Sequence, residues 1–407
     1  MDRITRITIE TVRAVQCAQL DFSSGLTVLI GENGAGKSTI VECLELLHKA
    51  GRPGFLQQFY ATHRGLPSLL LKGAHSMALA IRFSSEDDGG VETEYRLEIL
   101  QLANSAVAFT EELLEWAAGH ENAKATMLKR NVSGVEVLQT QKAELVMVRG
   151  FGIRGDELAI HGFQTDPPNR AIPRLLRVLA GIEVQVPFDT RASWVARTHQ
   201  RVESLRVAST LFPATRVQLS GVNLANAWSE LLNRGEESRR QSLELVRLGL
   251  GDRVDSVVQQ IDPGGGNVHL GVLFRGMSEP VLAGDLSDGQ LSWLAFVAMV
   301  ELNAGRSMLA LDEPELHLHP YLLAALMALL QRVNVPILLS THSDSLLSLV
   351  DDPADAVRVC ELDDESRVQI RTVDRLLLAQ WLQHYGDFGR LREAGYLSRV
   401  MTLREGA

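Results

Sequence analysis

The run Leu26-Thr27-Val28-Leu29-Ile30-Gly31-Glu32-Asn33-Gly34-Ala35-Gly36-Lys37-Ser38-Thr39 decides the fold. Leu26 to Ile30 carry no charge and read as a buried strand. Gly31 to Thr39 then satisfy G-x-x-x-x-G-K-[ST], and a helical stretch from Ser38 to Ala50 follows, with Ile40, Val41, Leu44 and Leu47 at helical spacing. A strand, a glycine-rich turn and a helix in that order suit a phosphate-binding loop (P-loop). Glycines let the backbone wrap tightly, so that successive amides and the helix N-terminus face one anion. On this reading Asn33, Gly34, Ala35, Gly36, Lys37, Ser38 and Thr39 hold the phosphates of a nucleotide. Lys37 reaches the β- and γ-phosphates, and the Ser38 hydroxyl ligates Mg²⁺.

Further along, Met308-Leu309-Ala310-Leu311 reads as a buried strand running into Asp312-Glu313. Asp312 would hold Mg²⁺ through water, and Glu313 would orient an attacking water as general base. Ahead of that strand stands Leu286-Ser287-Asp288-Gly289-Gln290, which by itself is also a good turn and helix cap. Beyond it Leu338-Leu339-Ser340-Thr341-His342-Ser343 ends another buried strand, with His342 thirty residues after Asp312. Four such segments in this order argue against accident.

Together these segments resemble a stand-alone ABC-type ATPase of the predicted-ATPase group related to the OLD and RecF/SMC ATPases. Leu219-Ser220-Gly221-Val222-Asn223-Leu224 and Asp312-Glu313-Pro314-Glu315-Leu316-His317-Leu318-His319-Pro320 strengthen the likeness, which touches both ends and the middle of the chain. The resemblance implies ATP and Mg²⁺ as cofactors and ATP hydrolysis as the reaction. It implies a head-to-tail homodimer, or a higher even oligomer, in which Ser287, Gly289 and Gln290 grip the γ-phosphate of the nucleotide bound to the opposite subunit. His342 would contact the γ-phosphate alongside Glu313. It also implies a switch that controls a separate effector, nuclease-like or TOPRIM-like, in anti-phage defence or DNA maintenance. Asp288 departs from the pattern by replacing the second signature glycine, and Val12-Arg13-Ala14 offers no aromatic ring for a base. Gln57 or Gln58 would fill the glutamine loop beside the Mg²⁺, a surface role being the other reading of each.

The expected fold class is α/β. It is an ABC-type P-loop ATPase head with a mostly parallel sheet, an N-terminal antiparallel β lobe and a helical insertion. The expected divisions are 1–105 for the N-terminal half of the head, 106–264 for a mostly helical inserted lobe, 265–375 for the C-terminal half and 376–407 for a tail. With 407 residues the chain exceeds what a single core usually holds. Its 45% apolar and 22% charged residues exclude collagen-like, disordered and disulfide-scaffold classes. A net charge of −10 argues against coating nucleic acid, so any DNA or RNA contact needs a local basic patch. Arg191, Arg197, Arg201 and Arg206, with Trp194 and His199, form one candidate stretch, although a solvated helix face carrying Glu203 is the plainer reading. Cys17, Cys43 and Cys360 show no paired spacing and suit a reducing compartment. The alternating start reads as a strand, and no apolar run approaches the ~20 residues a bilayer needs, so the expectation is a cytoplasmic chain without membrane contact. His317 and His319, on one face if extended, with Glu313 and Glu315 nearby, suggest a metal site at first sight, with loop structuring preferred. Two other functions compete: a nucleotide-gated scaffold with little turnover, and the energising subunit of a transporter, against which the long interval between Thr39 and Leu286 speaks.

Overall fold

The computed structural model describes residues 2–402, apart from 23–24, 86–89, 103–106, 133, 140–143, 149–156, 164–166, 192–203, 263 and 265. The chain opens with β1 (Arg3–Val12) and β2 (Val15–Asp21), then β3 (Leu26–Gly31), the P-loop and α1 (Lys37–Ala50). A second helix, α2 (Phe55–Thr62), packs on α1. Next come β4 (Ser76–Ser84), β5 (Val91–Gln101), β6 (Val107–Ala117), β7 (Ala125–Asn131), β8 (Gly134–Gln139) and β9 (Glu144–Val148). These six join the first two in an eight-stranded antiparallel sheet ordered β2-β1-β4-β5-β6-β7-β8-β9. The middle of the chain holds α3 (Ala171–Gly181), β10 (Ile182–Gln185), β11 (Ser209–Thr210), α4 (Leu224–Asn233) and α5 (Glu236–Leu250). A small antiparallel sheet is made by β11, β12 (Val254–Ile261), β13 (Asn267–Phe274) and β14 (Val281–Leu282).

Helices and strands then alternate: α6 (Asp288–Glu301), β15 (Met308–Asp312), α7 (Pro320–Leu330) and β16 (Ile337–Ser340). After α8 (Asp344–Leu347) and α9 (Pro353–Ala356) come β17 (Val357–Leu362) and β18 (Val368–Thr372). The chain closes on α10 (Arg375–Tyr385) and α11 (Phe388–Glu393). A six-stranded sheet, β10-β15-β16-β3-β17-β18, is parallel throughout except at its last pair.

Strand periodicity explains why this sheet sits between two cores. Val28, Ile30, Leu309, Leu311 and Leu339 face the core built with α4 to α7. Their neighbours Leu29, Met308, Ala310 and Leu338 face the other core, shared with α1, α3 and the antiparallel sheet. Burying each aliphatic side chain contributes about 1.5–3 kcal/mol, so both faces are strongly specified. The register aligns Leu29, Ser340 and Asp312 across β3, β16 and β15, which brings three motifs to one carboxyl edge. That edge is where open α/β sheets bind ligands.

Two expectations are corrected. The segment from 106 is not mostly helical, because β6 to β9 extend the antiparallel sheet through residue 148. In β6 the inward row reads Phe109, Glu111, Leu113, and the buried carboxylate hides the two-residue period. Glu111 is tolerated there because Tyr95 Oη donates to it at 2.9 Å, the Ala159 amide at 2.6 Å and Arg130 Nη1 at 3.2 Å. Residues 376–402 are not a tail either: Leu378, Phe388, Leu391, Val400 and Met401 enter the core shared with α6 and α7.

Candidate nucleotide-binding site

At the carboxyl end of β3, Gly31 has a φ of 151°, and a Cβ there would lie 2.2 Å from the Cys360 carbonyl oxygen. Only glycine lets β17 pair so closely with the start of the loop. Gly36, which enters α1, has a φ of 87° and faces Val368 with no room for a Cβ. No side chain caps α1, so the amides of its first turn, Lys37 to Thr39, lack intrahelical acceptors. The loop therefore offers an anion the free end of a helix dipole.

Lys37 is buried, and its Nζ donates to the carbonyls of Gly31 at 2.9 Å and Glu32 at 3.0 Å. Burial draws its pKa below the ordinary lysine value, while the negative charges of Glu313 and Asp312 pull the other way. An ammonium has three donors, so two carbonyls leave capacity for a phosphate oxygen.

Across the cleft, Asp312 ends β15, and its Oδ1 accepts from Ser38 Oγ at 3.3 Å and from Ser340 Oγ. Hydroxyl and carboxylate thus meet from α1 and β15, a hard-oxygen pair of the kind that holds a divalent cation. Glu313 follows with a φ of 46°, a left-handed conformation that costs a non-glycine residue energy and is retained where neighbours enforce it. Its amide donates to the Ser340 carbonyl at 3.0 Å, which fixes the turn. Its Oε1 lies 3.5 Å from His342 Nε2, so the proposed base and the histidine face each other at the site, each about one-third exposed.

Glu315 takes a part that the motif alone did not assign. Its Oε1 accepts from Thr341 Oγ1 at 2.6 Å and from the His342 amide at 2.9 Å, while Oε2 is buried without a hydrogen-bond partner. The Asp-Glu-Pro-Glu string therefore ties the end of β15 to the loop that carries His342. His319 caps α7 by accepting from the Tyr321 amide at 3.5 Å, and His317 adopts a φ of 67°. Both shape the loop. Among the described residues no group of three or more His, Cys, Asp or Glu side chains could hold a metal.

The signature segment lies at the N-terminus of α6. Ser287 and Gln290 form a reciprocal capping box: the Gln290 amide donates to Ser287 Oγ at 3.3 Å and the Ser287 amide to Gln290 Oε1 at 2.9 Å. A Cβ on Gly289 would stand 3.2 Å from the His317 carbonyl, so this helix end packs closely on the loop after β15. Asp288 is paired with Arg206 at 2.5 Å. Arg206 also donates through Nη1 to the carbonyls of Gly284 at 3.0 Å and Leu286 at 2.6 Å. It belongs to no helix and clasps the signature loop, which corrects its reading as part of a solvated helix face. Arg191 pairs with Asp189 at 2.5 Å, whereas Trp194, Arg197, His199, Arg201 and Glu203 lie outside the described residues.

Gln57 and Gln58 sit on α2. Gln57 is exposed, and Gln58 Nε2 donates to the Pro53 carbonyl at 3.2 Å, just past the end of α1 that is remote from the P-loop. At ~1.5 Å per residue, α1 separates that end from Ser38 by roughly 18 Å. The structure does not bring either glutamine to Asp312. Gln185, on the strand flanking β15, donates to the Val217 carbonyl at 3.0 Å on the opposite face from Asp312. Leu219 to Leu224 form the turn entering α4, where Asn223 Oδ1 accepts from the Gln218 amide at 2.7 Å.

A cleft of about 620 Å³ opens over the loop, lined by Glu32, Asn33, Ala35, His342, Cys360 and Arg392 among others. Arg392 comes from α11, and nothing in the sequence marked it.

Comparison with known proteins agrees with this geometry. Residues 183–348 match the family described as "AAA domain, putative AbiEii toxin, Type IV TA system", and residues 6–114 match an AAA domain family. The DNA replication and repair protein RecF of Shewanella halifaxensis is 46% identical over 44 residues, which are 11% of this chain and 12% of RecF. RecF of Bifidobacterium longum subsp. infantis is 29% identical over 96 residues, 24% of this chain and 21% of RecF. The matched stretches thus span about a fifth or less of these relatives. A crystal structure of an Smc head bound to the C-winged helix domain of ScpA superposes with a TM-score of 0.54 at 13% identity, covering 92% of this chain and 99% of that one. An Smc head with an extended coiled coil, bound to the C-terminal domain of ScpA derived from Pyrococcus furiosus, gives 0.51 at 12% identity, covering 94% and 99%. Both halves of the chain thus match AAA-domain families, short stretches resemble RecF, and the chain has the α/β fold of an SMC head.

Proposed function

We propose that the chain binds MgATP on Asn33 to Thr39 and hydrolyses it to ADP and phosphate as a head-to-tail dimer. The observation that carries this reading is the meeting of Lys37, Ser38, Asp312, Glu313 and His342 at one sheet edge. Ser38 and Asp312 are the residues that would hold Mg²⁺, which would supply charge neutralisation at the phosphates. Glu313 accepts the proton of the attacking water, and His342 keeps that carboxylate oriented while meeting the γ-phosphate. Ser287, Gly289 and Gln290 complete the site from the opposite subunit, a role supported by the Ser287–Gln290 capping box that fixes this helix end. Asp288 does not weaken this assignment, because Arg206 balances its charge.

Hydrolysis resets a switch that acts on a separate effector protein in DNA maintenance or anti-phage defence within the cytoplasm. The RecF likeness and the toxin-system family description support that setting, and the ScpA-bound Smc heads show a fold of this kind carrying protein partners. Among the described residues no helix is long and apolar enough to cross a membrane. The test is calorimetric titration with MgATP followed by a phosphate-release assay. Lys37→Ala should abolish binding while the chain stays folded, which a circular-dichroism spectrum checks. Unchanged affinity in that variant would remove the reading.

A further inference from the structure

One wall of the cleft over the P-loop comes from neither half of the head's motifs: Arg392, Gly395 and Leu397, in α11 and the turn after it, lie across from Glu32, Asn33 and His342. We propose that Arg392 is a positioning residue for the γ-phosphate side of the site, acting through His342. The proposal rests on the nucleotide site put forward above and deepens it.

Arg392 Nη1 donates to the His342 carbonyl at 3.1 Å and to Asp344 Oδ1 at 2.8 Å. The amide of His342 is held by Glu315. Both peptide groups flanking the imidazole are therefore pinned by charged side chains, one from β15's exit and one from α11. Charge-assisted hydrogen bonds of this kind are roughly twice as strong as neutral ones. The two N–H groups of Nη1 divide between the carbonyl and the carboxylate, so one nitrogen ties the histidine peptide to α8.

The element that carries Arg392 is itself locked onto the histidine loop. A Cβ on Gly389 would lie 2.1 Å from the Asp344 carbonyl oxygen, so α11 approaches α8 as closely as backbone allows. Ser348 Oγ donates to Asp387 Oδ1 at 2.6 Å, and that same carboxylate caps α11 by accepting from the Arg390 amide at 2.9 Å. Movement of α11 must move His342 with it. The charge of Arg392 is also felt at Lys37, where it opposes the ammonium and adds to the positive field on the anion site.

The experiment measures MgATP and MgADP affinities by calorimetry for the parent, Arg392→Met, His342→Ala and the double variant, with melting temperatures as a fold check. Methionine keeps the packing of the stem and removes every donor, and Arg392→Ala serves as a second variant. Arg392→Met should lose about tenfold in MgATP affinity, the scale of one hydrogen bond to a charged group, with MgADP affinity unchanged. The double variant should bind MgATP no more weakly than His342→Ala, because residues acting as one unit are not additive. Equal loss for both nucleotides, or additive loss in the double variant, overturns the proposal. A parent that binds MgATP without turnover removes only the hydrolysis reading, and the affinities still decide the role of Arg392. If the parent binds neither nucleotide, the site reading and this proposal fall together.

Discussion

Glu313 combines a left-handed backbone with a side chain that faces His342, an arrangement that supports the proposed role as general base. Glu313→Gln removes the proton acceptor and leaves Lys37, Ser38 and Asp312 in place. Phosphate release should fall by ~10²–10⁴-fold while MgATP affinity holds. Parental turnover would put the base elsewhere, although Glu315 has its carboxylate committed to Thr341 and His342. A second residue sets an acid limit on the fold. Burial, aided by Arg52 and Arg216, depresses the His48 pKa from 6.5 to about 4. The unfolded chain therefore binds the extra proton first, so stability is present above about pH 6.5 and is lost as pH falls toward 4. Denaturant titrations at pH 7 and pH 5 should show a smaller loss for His48→Gln than for the parent; equal losses would place the acid sensitivity elsewhere.

Among the elements, the N-terminus of α6 depends on a residue from a distant segment. Arg206 takes up the carbonyls of Gly284 and Leu286 and balances Asp288, so Arg206→Ala leaves the loop unclasped and the acid unpaired. That variant should keep MgATP affinity, because the P-loop is untouched, but lose turnover. Adding Asp288→Gly should restore part of it by removing the stranded charge, and phosphate release in the single and double variants checks both steps. The P-loop, β15 and the histidine loop were legible in the sequence because each is a local run: an uncharged strand, then residues whose chemistry follows directly. Partners such as Arg206 and Arg392 were not, since their roles arise only when residues far apart in the chain meet. Strands β6 to β9 were obscured for another reason. Glu111 occupies an inward position, and its compensation by Tyr95, Arg130 and the Ala159 amide is three-dimensional. Gln57 and Gln58 marked the reverse case, residues of the right type that the fold carries to the far end of α1.

On the scale of the whole molecule, the proposed head-to-tail dimer turns on where the P-loop and the signature segment sit. Lys37 stands at the edge of the parallel sheet, while Ser287 and Gly289 sit where α6 meets the loop after β15, and their hydrogen bonds stay within that corner. On the proposed reading a single chain holds the groups to bind nucleotide, and its partner supplies the second grip on the γ-phosphate. Two chains related by a twofold axis would supply each other's missing half, because an isologous interface pairs the same two surfaces twice. In this arrangement Glu313→Gln should accumulate as an ATP-bound dimer, since assembly persists when hydrolysis cannot reset it. Ser287→Arg places a long side chain at the helix end that must approach the opposite phosphate. It should leave MgATP affinity within about twofold of the parent, as expected for a surface change remote from the bound ligand, yet prevent assembly and turnover. The decisive measurement is the mass in solution of Glu313→Gln and of Glu313→Gln with Ser287→Arg, each with and without MgATP. The first should double in mass only with nucleotide and the second should not. A dimer that persists in both without nucleotide would mean that another surface holds the subunits together, and the signature segment would then have no part in assembly.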